Sequence, residues 1–207
     1  MSMPPLWTTD AMAAAMRARP EGALPQGVDG LSIDTRSLQP GEAFFALTDI
    51  RDGHDFVGAA MEAKAGLAVV AADKRDRLPK DARLLVVDDV LAGLRDLATA
   101  ARTRADATVI GVTGSVGKTG TKEALRLALS RDGETHASAK SYNNHWGVPL
   151  SLALCPERAR YAVFEMGMNH AGEITPLTAL VRPHIAIVTT VEPVHLEYFG
   201  SVEKIAD

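Results

Sequence analysis

The chain has 207 residues, a formal net charge of −4 and 46% hydrophobic residues, enough for one or two domains, each with an ample apolar core. It carries no basic block, so the footprint of a nucleic-acid binder is absent, and the single Cys155 excludes an internal disulfide framework or a cysteine-rich zinc site. No stretch is long enough for membrane insertion, and Met1–Trp7 lacks the parts of a signal peptide, so the expectation is a cytoplasmic protein.

Thr8 or Thr9 caps a predicted helix reaching about Arg19, with Met12 and Met16 on one face; Pro20, Gly22, Pro25 and Gly27 end it. A strand-like Leu31–Arg36, a Pro40-Gly41 turn and a strand Glu42–Leu47 follow. Next come a helix over about Asp55–Ala65, strands Leu67–Ala71 and Arg83–Asp88, and a helix from Val90 to about Arg104. These form a small N-terminal α/β domain, residues 1–105, with the boundary in the polar Thr103–Asp106.

The second domain, 106–207, opens on the apolar, β-branched Thr108–Val112, which breaks at Thr113-Gly114 into a glycine turn and becomes helical from about Lys118. Strand, glycine turn and helix make the geometry of a phosphate-binding loop. Thr113, Gly114, Ser115, Val116, Gly117, Lys118, Thr119 and Gly120 are therefore the candidate nucleotide-binding residues. Lys118 can reach the β- and γ-phosphates, and the Thr119 hydroxyl can ligate Mg²⁺. Gly114 and Gly117 enclose two residues and Gly111 and Gly117 five, whereas a Walker A loop has four between its glycines. A strand-to-helix turn with a chance Gly-Lys-Thr is the plain alternative.

Beyond this helix, with Ala124, Leu125, Ala128 and Leu129 at helical spacing, Glu134–Ser138 reads as a strand and Pro149 opens a helix through Cys155. Cys155 lies in an apolar run, as a buried, unreactive thiol would. Strand Arg160–Glu165, a helix over about Ile174–Val181 and strand His184–Thr189 complete an alternation that implies a parallel sheet with helices on both faces. Ser201 caps a helix that is two turns long at Asp207, so the expectation is an incomplete P-loop parallel-sheet domain.

Glu165 ends an apolar strand, where open α/β sheets bind ligands, and is a candidate Mg²⁺ ligand or else a surface carboxylate. His195, past the next strand, is a second candidate for metal or nucleotide. Asn143 and Asn144 either bond a substrate or hold their own turn. In the first domain Ser32, Thr35 and Arg36 suit a pyrophosphate, while Asp52 and His54 are either site residues or a helix cap.

These motifs together resemble the Mur ligases. Thr113–Thr119 has the glycine spacing of that family's phosphate loop. Asn143–Leu150, Glu165–Ile174 and His195–Ser201 are similar to the branch that adds D-alanyl-D-alanine. Asp34–Arg36, Pro40-Gly41, Phe44–Leu47 and Asp52–His54 resemble the family's uridine-nucleotide-binding domain.

The resemblance implies that ATP activates the terminal carboxylate of a UDP-N-acetylmuramoyl tripeptide as an acyl phosphate, which the amine of D-alanyl-D-alanine attacks in making a peptidoglycan precursor. It makes the second domain an incomplete P-loop ATPase domain and Lys118, Glu165 and His195 the catalytic set, with Thr119, Glu165 and His195 on Mg²⁺. It assigns Ser32, Thr35, Arg36, Asp52, His54, Asn143 and Asn144 to the substrate, in a monomer.

Departures from the family pattern are the short, glycine-free Thr48–Arg51 and Thr190–Val194 before His195. The family's metal-bridging lysine is expected past Asp207, so this chain is expected to be catalytically inactive. The alternatives are a folate-polyglutamylating relative, which lacks the first domain, and a P-loop regulatory protein without ligase chemistry.

Overall fold

The computed structural model describes residues 4–139, 142–194 and 196–206, and the chain divides into two compact units, Met1–Leu97 and Ala98–Asp207. The division falls inside the helix Val90–Arg104, and the polar Thr103–Asp106 spans that helix's end.

In the first unit β1 (Trp7–Thr8) pairs antiparallel with β3 (Gly27–Val28). Helix α1 (Thr9–Met16) follows, the Thr8 hydroxyl accepting from the Ala11 amide at 3.2 Å, and Met12 and Met16 are buried. It stops short of Arg19 because Arg19 opens β2 (Arg19–Glu21), a strand absent from the sequence reading.

The main sheet orders β2, β7 (Leu84–Val87), β6 (Leu67–Ala71), β5 (Ala43–Phe45) and β4 (Leu31–Ser32), all parallel except β2. Pro20 cannot donate to a ladder, which confines β2 to the edge. Every residue of β6 and β7 is buried, the pattern of strands covered on both faces. Helix α2 (Val57–Glu62) packs on β6, and α3 (Val90–Arg104) runs through the division between the units.

The second unit is a four-stranded parallel sheet ordered β11 (Ile185–Val188), β8 (Thr108–Thr113), β10 (Tyr161–Glu165) and β9 (Thr135–Ala137). Alternate residues face opposite sides. Ile110, Val112 and Val163 meet Leu125 and Leu129 of α4 (Lys118–Leu129). Val109, Ala162 and Phe164 meet α5 (Gly147–Ala153) and α6 (Ile174–Val181). Helices on both faces of a parallel sheet are the expected arrangement. Two short helices, α7 (Leu196–Phe199) and α8 (Val202–Ala206), follow.

Two further details differ from the sequence reading. Pro149 is the third residue of α5, tolerated there because first-turn amides have no intrahelical partner. On α4, Ala124 and Ala128 are exposed, and the inward face is Lys122, Leu125 and Leu129.

Candidate nucleotide and metal site

The loop between β8 and α4 turns on two glycines with positive φ, Gly114 at 126° and Gly117 at 90°. A Cβ on Gly114 would lie 2.3 Å from the Thr189 hydroxyl, so both conformation and space require glycine. The segment after β11 grips this loop. Thr189 Oγ1 donates to the Val116 carbonyl at 2.6 Å, and the Ser115 amide donates to the Thr190 carbonyl at 2.8 Å. The Ser115 hydroxyl accepts from the Glu192 amide at 2.9 Å. The amide of Ser115, a candidate nucleotide-binding residue, is thus engaged.

Lys118 Nζ folds back on its own loop, donating to the carbonyls of Gly114 at 2.6 Å and Ser115 at 3.1 Å. The cavity bounded by Gly114, Ser115, Lys118, Met168, Phe199 and Ile205 is only about 20 Å³. That volume is about what a single water needs, and Lys118 lies on its wall.

Glu165 closes β10 in register with Val112 of β8, at the edge from which the loop leaves. Its carboxylate is 1% exposed and is met by two neutral donors, Thr119 Oγ1 at 2.9 Å and Asn143 Nδ2 at 2.8 Å. Asn143 is held by the Gly167 amide, which donates to its carbonyl at 2.8 Å. A Cβ on Gly167 would lie 2.8 Å from Asn143 Cγ, so only glycine lets this side chain approach.

Asn144 acts elsewhere, because its Oδ1 accepts from the Gly147 amide at 2.8 Å and caps α5. The two adjacent asparagines therefore divide, one at the carboxylate and one at a helix end. His195 lies outside the described residues.

The donor set fits Mg²⁺. A buried carboxylate and a hydroxyl are hard oxygen ligands, and the carboxylate's charge is met only by neutral donors among the bonds above. No group of three or more His, Cys, Asp and Glu that could cage a metal occurs among the described residues. Such a sparse set suits an ion that keeps its waters and bridges to phosphate.

In the first unit the expected residues fall into two groups. Ser32 ends β4, and Thr35 and Arg36 lie in the turn that follows. The Ser32 hydroxyl accepts from the Asp34 amide at 3.2 Å, and Arg36 Nη2 donates to Asp34 Oδ2 at 2.6 Å. Asp52 and His54 lie after β5 and line a cavity of about 270 Å³ with Asp55, Lys74 and Arg77, which Ser32, Thr35 and Arg36 do not line.

His54 is 7% exposed, and its Nε2 accepts from the Ala71 amide at 2.9 Å, which places the ring proton on Nδ1, 2.5 Å from Asp52 Oδ1. Burial pushes the Asp52 carboxyl up, but hydrogen bonds from the His54 ring and amide and the Thr48 hydroxyl outweigh it and hold the group well below the carboxylate range. The pair stitches the turn after β5 to the end of β6. Cys155 is buried, and burial pushes its thiol up to about 11, as an unreactive cysteine requires.

The sequence reading passed over Lys122, Ser138, Thr189, Lys74 and Arg77. For Lys122 the signal was present: it lies one turn past Lys118, on the stripe of Leu125 and Leu129.

Residues 112–207 match the Mur ligase middle domain. The chain is 33% identical over 202 residues to the UDP-N-acetylmuramoyl-tripeptide–D-alanyl-D-alanine ligase of Rickettsia prowazekii, covering 98% of this chain and 44% of that protein. A crystal structure of MurF from Acinetobacter baumannii superposes with a TM-score of 0.83 at 33% identity, covering 100% of this chain and 45% of that one. MurF ligase from Thermotoga maritima in complex with ADP gives 0.70 at 30% identity, covering 86% and 41%. The chain therefore spans less than half the length of these relatives. On the phosphate loop, the Glu165 cluster and these likenesses, the chain is similar to the Mur ligases over its described length.

Proposed function

We propose that the protein is an ATP-dependent ligase that joins D-alanyl-D-alanine to UDP-N-acetylmuramoyl tripeptide in peptidoglycan-precursor synthesis. The first unit takes the uridine nucleotide and the second takes ATP with Mg²⁺. The observation that carries the reading is the convergence of Thr119 and Asn143 on the buried Glu165, beside a glycine loop ending in Lys118. The likeness to a MurF ligase solved with ADP supports ATP as the phosphate donor.

The chain's own residues have separable roles. Lys118 leaves the Gly114 and Ser115 carbonyls for the phosphates, exchanging two neutral acceptors for charged oxygens. Thr119 and Glu165 hold Mg²⁺, which when bound neutralises charge gathering on the phosphate oxygens. Asn143 orients the Glu165 carboxylate. The tripeptide carboxylate attacks the γ-phosphorus and ADP departs; the D-alanyl-D-alanine amine then attacks the acyl carbon and phosphate leaves.

The test gives the protein that carries this chain ATP, Mg²⁺, UDP-N-acetylmuramoyl tripeptide and D-alanyl-D-alanine. Equal amounts of pentapeptide and inorganic phosphate are expected. Lys118→Ala should reduce turnover more than tenfold, a loss of over about 1.4 kcal/mol at the transition state, while uridine-nucleotide binding persists. Phosphate release that ignores the tripeptide would instead identify an ATPase of another kind.

A further inference from the structure

Helix α4 carries two lysines one turn apart with different destinations. Lys118 bonds the phosphate loop, whereas Lys122 points into the unit and is 1% exposed. Burying an ammonium carries a heavy desolvation cost, and replacing a buried ion pair by a well-packed apolar residue is often neutral or stabilising. A methionine of about the same length would fill the buried position without the charge. Stability therefore does not explain a lysine there, and its contacts offer another reason.

Nζ of Lys122 donates to the Ser138 carbonyl at 2.8 Å and lies 3.2 Å from Glu123 Oε1. Glu123 is half-exposed and also receives Arg126 Nε at 2.7 Å, so it balances the charge from the surface side. Ser138, 2% exposed, directly follows β9, and its amide donates to the Val163 carbonyl at 3.1 Å. Its hydroxyl accepts from the Glu165 amide at 3.3 Å. The Glu165 carboxylate receives Thr119, which sits on α4 three residues before Lys122. The contacts form a closed ring from Lys122 to Ser138, Glu165 and Thr119, returning along the helix.

We propose that Lys122 is a positioning residue for the Mg²⁺·nucleotide site, tethering Ser138 and so holding Glu165 in place opposite Thr119. This rests on the reading of Glu165 and Thr119 as the Mg²⁺ ligands. Lys122 acts through Ser138: it sets where the buried carboxylate stands relative to the helix that carries the hydroxyl. Without the tether Ser138 can shift with the end of β9, and the Glu165 backbone loses its hydroxyl partner.

The experiment is calorimetric titration with ADP in the presence of Mg²⁺ and again in EDTA, on the wild type, Lys122→Met and Ser138→Ala. Methionine matches the length and removes the donors; alanine removes only the hydroxyl. In the wild type Mg²⁺ should strengthen ADP binding. Lys122→Met should weaken Mg²⁺·ADP about tenfold and change ADP in EDTA by less than about twofold. Ser138→Ala should weaken Mg²⁺·ADP in the same selective way, and the double variant should be no weaker than Lys122→Met, as members of one network behave.

Equal weakening in Mg²⁺ and EDTA would reduce Lys122 to a packing residue and overturn the proposal. A wild-type Mg²⁺ advantage that Lys122→Met leaves intact would overturn the positioning role alone. If the wild type binds ADP equally with and without Mg²⁺, the metal reading of Glu165 itself fails. Should Lys122→Met not fold, Ser138→Ala decides: a selective loss supports the ring, and none overturns it.

Discussion

At the scale of single residues, the loop's geometry depends on which glycines carry a conformational demand. Gly114 has φ of 126° and no room beside Thr189, whereas Gly120 lies in the first turns of α4 with nothing within 4 Å of a built Cβ. Gly114→Ala is therefore expected to destabilise the second unit by at least about 2 kcal/mol, through left-handed strain and the clash. Gly120→Ala should stabilise it by about 0.5–1 kcal/mol, the helix-propensity gain. Urea unfolding followed by Trp146 fluorescence in a Trp7→Phe background reads both. A stabilising Gly114→Ala would show that the loop relaxes freely. The sequence marked both glycines as nucleotide ligands, because both follow the strand; spacing alone does not reveal that Thr189 stands over one and open space over the other.

At the scale of elements, His136 joins β9 to α5, with Nε2 2.8 Å from the Ser151 carbonyl and its ring 5.8 Å from that of Phe164. Burial holds its pKa below the ordinary 6.5, although the Ser151 carbonyl and Glu134 pull it up. The unfolded chain then takes up a proton first as the pH falls. This contribution to stability is complete above about 6.5 and is lost as the pH drops towards the lowered folded value. The urea midpoint of the second unit should fall between about pH 7.5 and 5.5, and His136→Gln should flatten that slope by the histidine's share. An identical slope in the variant would place the pH dependence elsewhere. Periodicity made β9 legible as a strand, but its partner across the core is a carbonyl of a helix fifteen residues on, which no local pattern encodes.

At the scale of the whole molecule, the two sheets expose different surfaces. In the first unit β6 and β7 are fully buried and the edge strand β2 carries a proline. In the second unit β11 is an edge strand, with Ile185 49% and Val188 63% exposed. An apolar edge favours self-association, and a lysine there opposes it. Val188→Lys should lower concentration-dependent light scattering while changing stability by less than about 0.5 kcal/mol, as expected for an exposed position. Scattering that does not respond would clear β11 of that role. No described helix is long and apolar enough to cross a membrane.

What the sequence determined by itself was whatever is written in adjacent residues. The apolar runs of β8 and β10, the glycine turn leading to Lys118, and the alternation that makes the second sheet parallel all follow from local pattern and period. The tertiary structure decided what depends on distant backbones meeting. It sent Asn143 to a carboxylate and Asn144 to a helix cap, and it turned Asp52 and His54 into a stitch between β5 and β6. It also buried Lys122 inside the second unit, bonded to the Ser138 carbonyl sixteen residues on. A side chain's chemistry is fixed by its type, but its role is set by the donors, acceptors and water excluded around it, and those arrive only when the chain is packed.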